Sequence, residues 1–94
     1  MIKYAILVKY SDNHELRVAT RPTHREFLKK MLDEGKLHES GPYTDESGAL
    51  MIYNGSSKEE VAAIFAQDPF NLTGGIIESA TIHEWNVVFP ASES

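Results

Sequence analysis

Two polar residues, far apart in the sequence, each stand where an apolar helix stripe would turn them inward. His24 precedes Phe27, Leu28, Met31 and Leu32 by three, four, seven and eight residues, so on a helix it shares their face. Asp68 follows Val61, Ile64 and Phe65 by seven, four and three residues, and shares theirs. A histidine held by a carboxylate is a unit of acid–base chemistry. The carboxylate fixes the imidazole tautomer and stabilises its charged form, which leaves the other ring nitrogen to exchange a proton with a substrate. Arg21 lies just before His24, in the run Arg21-Pro22-Thr23-His24 at the head of its helix. There it adds positive potential for an anion or a developing oxyanion. His24, Asp68 and Arg21 are the catalytic candidates, and no Ser or Cys nucleophile is required. Taken singly, each has a plain structural reading: a buried hydrogen-bonder, a helix stop before Pro69, a surface arginine.

The elements that must position them follow from periodicity. Alternation of Ile2, Tyr4, Ile6, Val8 and Tyr10 predicts a strand over 2–10, and Ala5 and Leu7 make its other face apolar at mid-strand. The turn formers Ser11-Asp12-Asn13-His14 end it. A helix is expected over 20–34, with Pro22 in its first turn, a capping pair Thr23 and Glu26, and Gly35 as the left-handed stop. Strands follow over 36–43 and 49–53, joined by the turn Thr44-Asp45-Glu46-Ser47-Gly48. Ser57, with Glu60 three residues on, starts a second helix that Pro69 stops. A last strand is expected over 76–89, with Trp85 and Phe89 as core or dimer contacts.

The order strand, helix, strand, strand, helix, strand is that of an α+β, ferredoxin-like βαββαβ fold, an antiparallel sheet with both helices on one face. Chain direction then brings the two polar residues together. If the first strand runs up, the first helix begins at the top, and the second helix ends there. The apolar residues on the sheet's far face need a cover, which a homodimer supplies; further assembly stays open.

Composition narrows the partners. The chain has 94 residues, room for one domain over 1–90 with a disordered tail at 91–94. Hydrophobic and charged contents of 41% and 24% are those of a globular protein. A net charge of -5, with scattered basic residues, argues against nucleic acid. The absence of cysteine excludes disulfides and thiolate chemistry. The apolar start is too short to span a membrane and is interrupted by Lys3 and Lys9, so a cytoplasmic location is expected. His14, His38 and His83 form no known ligand spacing with His24, and no metal or other cofactor is expected.

Several short motifs, in order and at suitable distances, resemble the YCII-related family. They are Arg17-x-x-x-Arg21-Pro22-x-His24, Gly35-x-Leu37, Gly41-Pro42, Gly48 in the hairpin, Asp68-Pro69-Phe70, and Glu84-Trp85 in the last strand. The resemblance covers nearly the whole chain. It implies a ferredoxin-like dimeric α+β barrel with a deep pocket beside a His–Asp dyad, here His24 and Asp68. One branch of the family removes chloride from a hydroxylated aromatic ring. The wider superfamily includes muconolactone isomerases and monooxygenases that bind no cofactor. The expected pocket walls are Arg17, Ser40, Gly41, Pro42, Tyr43, Pro69 and Phe70. The functional expectation is acid–base chemistry of lyase or isomerase type on a small anionic or hydroxylated cyclic compound. The alternative is a non-catalytic dimeric module that binds a small molecule or regulates.

Overall fold

The computed structural model describes residues 2–90; the tail expected at 91–94 lies outside them. Seven elements follow in order: β1 (Ile2–Tyr10), α1 (His14–Asp33), β2 (Leu37–Pro42), β3 (Gly48–Gly55), α2 (Lys58–Ala66), α3 (Pro69–Leu72) and β4 (Ile77–Trp85). The strands form one antiparallel sheet in the order β2-β3-β1-β4, the ferredoxin-like arrangement. Tyr4, Ile6 and Val8 of β1 lie opposite Tyr53, Met51 and Ala49 of β3. These six share one sheet face and pack against Met31 of α1 and Val61 and Phe65 of α2, which puts both long helices on that face. On the other face Leu7 is 43% and Leu50 39% exposed, side by side in the register.

α1 begins six residues before the expected Thr20. Asn13 caps it, its side chain accepting the Leu16 N–H at 3.2 Å, and so the turn residues end at the cap. His14, expected in a turn, is the first helical residue, and Pro22 sits inside the helix. Proline there removes a donor to the Val18 carbonyl, but Pro22 and Val18 are both exposed, so the loss falls on the solvent side of the helix. His24 therefore stands in the third turn, and Arg21 is not at a helix start where a dipole would assist it. Gly35, with φ of 77°, closes the helix as expected, its N–H reaching Leu32 while the Lys36 N–H reaches Met31. Leu32, expected on the inward stripe, is exposed.

The second helix divides. α2 ends at Ala66, and Asp68 is the cap of the one-turn helix α3 rather than the last residue of the α2 stripe. Pro69 is the cause, since a residue before proline is pushed out of the helical region, and Asp68 is extended, with φ of -60° and ψ of 129°. β4 stops at Trp85, short of the expected 89, because its partner β1 has run out at that end: Trp85 pairs with Lys3. Trp85 is exposed and Phe89 lies almost fully in solvent, so neither is core.

Candidate functional site

α1, the β2–β3 hairpin and α3 enclose a cavity of about 330 Å³. His24 forms part of its lining. Behind it, His24 Nδ1 lies 2.6 Å from Asp68 Oδ1, with the two residues 7% and 0% exposed. Asp68 Oδ1 also accepts the Phe70 N–H at 2.9 Å. An ionised carboxylate can only accept, so Nδ1 carries the proton, and Nε2 of a neutral ring holds the lone pair. No side chain among the described residues bonds Nε2.

Aromatic packing fixes the ring. Phe70 stacks on the imidazole at 3.8 Å between centroids and 2° between planes. Tyr10 meets Phe70 edge-on at 5.9 Å, and the Arg17 guanidinium lies 4.6 Å from the centre of the Tyr10 ring. With one face covered and Nδ1 anchored, rotation of His24 would break both contacts. Burial pushes the Tyr10 phenol above its ordinary value, and the charges of Arg17, Arg21 and Arg25 pull it the other way.

Of the residues expected at the site, Arg17, Arg21, Ser40, Gly41, Pro42 and Phe70 line this cavity with His24. Tyr43 does not; it borders a shallower pocket with Leu50 and Ile52 on the far side of the sheet. The alternation of β2 carries on for one residue past its end, since the Tyr43 N–H still bonds the Gly48 carbonyl, and Tyr43 points away from the side taken by Pro42. Pro69 is absent from the lining too and serves as the first residue of α3. Arg25, which is exposed, borders the cavity as well, and Tyr10, Leu28, Glu46, Ala49 and Met51 line it. The missed signal was the four-residue spacing of Arg17, Arg21 and Arg25, which shows as a stripe only when the helix starts at His14.

Two buried polar atoms have no hydrogen-bond partner among the described residues, Asp68 Oδ2 and the Tyr53 hydroxyl. Burial pushes the Tyr53 phenol far up, and the nearby Asp68 charge adds to this. The folded chain thus keeps this phenol neutral where the unfolded chain ionises, above about pH 10. Its contribution to stability is complete below that pH and is lost as pH rises towards the folded value. Tyr53→Phe should therefore flatten the alkaline limb of a stability–pH curve. At neutral pH it should leave stability unchanged or raise it by about 1 kcal/mol, because an unsatisfied hydroxyl is removed. Urea unfolding at neutral pH and above pH 10 checks both parts.

No helix among the described residues is long and apolar enough to cross a membrane. Comparison with known proteins bears on the fold and the family. An uncharacterized protein of Bacillus subtilis (strain 168), YjpA, is 34% identical over 64 residues, 68% of this chain and 73% of its own. The solved structure of 5-chloro-2-hydroxyhydroquinone dehydrochlorinase from Burkholderia phenoliruptrix AC1100, in complex with 2,5-dihydroxybenzoquinone, superposes with a TM-score of 0.76. That match covers 89% of this chain and 93% of the other, at 21% identity, a likeness of fold. The sequence profile of the YCII-related domain matches residues 2–86, and with it the chain belongs to the YCII-related family.

Proposed function

We propose that this chain is a small acid–base enzyme acting on an anionic or hydroxylated cyclic compound, with His24 as the proton carrier and Asp68 as the group that orients and stabilises it. The observation that carries the reading is the buried 2.6 Å contact between Nδ1 and Asp68, which turns a histidine with an unbonded Nε2 into the wall of a ring-sized cavity. In the forward step neutral His24 takes a proton from the bound compound at Nε2, and the imidazolium forms against the Asp68 carboxylate. Electrons released from the broken bond either expel a leaving anion, a lyase outcome, or move along the ring until the proton returns elsewhere, an isomerase outcome. The fold shared with a dehydrochlorinase supports the first. Arg21 helps to hold the compound's negative charge. Leu7 and Leu50 on the bare sheet face support a homodimer, with a second copy as their cover, and the one-domain enzyme would work in the cytoplasm.

The near-complete burial of both partners favours a second reading, in which the pair is structural and the cavity only binds. The two separate cleanly by kinetics. Chlorinated and hydroxylated cyclic compounds would be screened for turnover, and His24→Gln compared on any compound that reacts. The expected loss in kcat/KM is about 10²-fold or more. Undiminished turnover by His24→Gln would remove His24 from the chemistry.

A further inference from the structure

The sequence contains three arginines, Arg17, Arg21 and Arg25, and all three line the cavity, while none of its six lysines does. They recur every four residues, so each turn of α1 adds one guanidinium to the same stripe. The lining holds one carboxylate, Glu46, and Asp68 lies just behind His24, so three positive charges less two leave +1, in a chain whose net charge is -5. Acidic overall and basic in one cavity, the molecule concentrates its positive potential where a ligand would sit.

The three arginines are not equivalent. Arg17 is engaged: it is buried, 2.9 Å from His14 Nδ1, 3.5 Å from Glu46 Oε1, and stacked on Tyr10. Arg21 and Arg25 have no ion-pair partner among the described residues. A guanidinium fork matches a planar group with two oxygens, whereas a lone phenolate or quinone oxygen is met as well by a lysine point charge. The apolar part of the lining, with Leu28 and Met51, suits a ring. Arg21 precedes His24 by three residues, so the two are neighbours on the helix face, about 5–6 Å apart at their Cβ atoms, and both line the cavity.

Building on the acid–base reading above, we propose that the substrate carries a carboxylate and that Arg21 and Arg25 form its seat, leaving the neighbouring ring carbons at His24. The test is equilibrium binding, read without turnover. Salicylate, salicylamide and phenyl phosphate would be titrated by NMR into the full chain, into Arg21→Gln and Arg25→Gln, and into Lys58→Gln, a change on the start of α2 away from the cavity. Salicylate should bind the wild type at least about tenfold more tightly than salicylamide. Each arginine variant should weaken salicylate about tenfold or more and leave salicylamide unchanged, and Lys58→Gln should behave as wild type. The proposal is overturned if salicylate and salicylamide bind alike, if phenyl phosphate binds more tightly than salicylate, if salicylate gives no response at millimolar concentration, or if both arginine variants keep wild-type affinity. Thermal melts of the variants separate loss of binding from loss of fold. His24→Gln, read by turnover, tests the chemistry alone, so either idea can fail while the other stands.

Discussion

Asp68→Ala should lower the midpoint of thermal unfolding by on the order of 15 °C, and Asp68→Asn by less than half as much. The alanine variant loses two interactions made by one oxygen, the contact to His24 Nδ1 and the cap on the Phe70 N–H. A hydrogen bond from the neutral ring to a carboxylate contributes about 1.5–3 kcal/mol and a cap about 1 kcal/mol, so the loss is about 3 kcal/mol. For a domain of this size each kcal/mol moves the midpoint by roughly 4–8 °C. Asparagine keeps an acceptor for both N–H groups and loses only the charge. The two variants thus separate scaffold from chemistry. Asp68→Asn should remain folded and still lose turnover, because a neutral amide stabilises a forming imidazolium far less than a carboxylate does. Circular dichroism melts of both proteins decide it. An alanine variant melting within a few degrees of wild type would mean that the pair contributes little to stability.

The pairing of His24 with Asp68 was legible in the sequence for a reason that tolerates local error. Chain direction in a βαββαβ fold brings the end of the second helix to the start of the first, wherever the helix ends fall. Both ends were misplaced: Asn13 outcompeted Thr23 as the cap, and Pro69 ejected Asp68 from α2 into the cap of α3. The contact survived, because a turn or two at either end shifts a residue along the fold without moving it to another layer. The arginine stripe was less robust. A helix beginning at Thr20 contains Arg21 and Arg25 but leaves Arg17 outside, and two of three points do not define a face. Pro22 misled here, since proline fits both a first turn and an exposed interior position, and the choice depends on where Asn13 finds its partner. Tyr53 was out of reach altogether. Strand alternation puts it on the inner face, but its depth near Asp68 depends on how α2 and α3 pack above β3.

Gly48→Ala should be at least as disruptive as the loss of the Asp68 carboxylate, by a different route. Gly48 opens β3 opposite Lys9 of β1, and a Cβ there would lie 1.9 Å from the Val8 carbonyl oxygen and 3.0 Å from its carbon. Those are backbone atoms inside a sheet ladder and cannot swing aside, so the hairpin must lift from β1. Gly48 has no left-handed φ, and the cost is therefore steric rather than conformational. Lifting the hairpin strains the Tyr10 N–H bond to the Ser47 carbonyl and the Tyr43 N–H bond to the Gly48 carbonyl, which hold the cavity's far wall in place. A cost of about 3 kcal/mol or more is expected, with a fall in melting midpoint on the order of 15 °C. Gly41→Ala is the matched control. Gly41 stands in the same hairpin and lines the cavity, but a Cβ there meets nothing within 4 Å, so its midpoint should stay within a few degrees of wild type. Equal midpoints for the two variants would show that the hairpin yields freely, and the cavity would then have a soft wall in place of a rigid one.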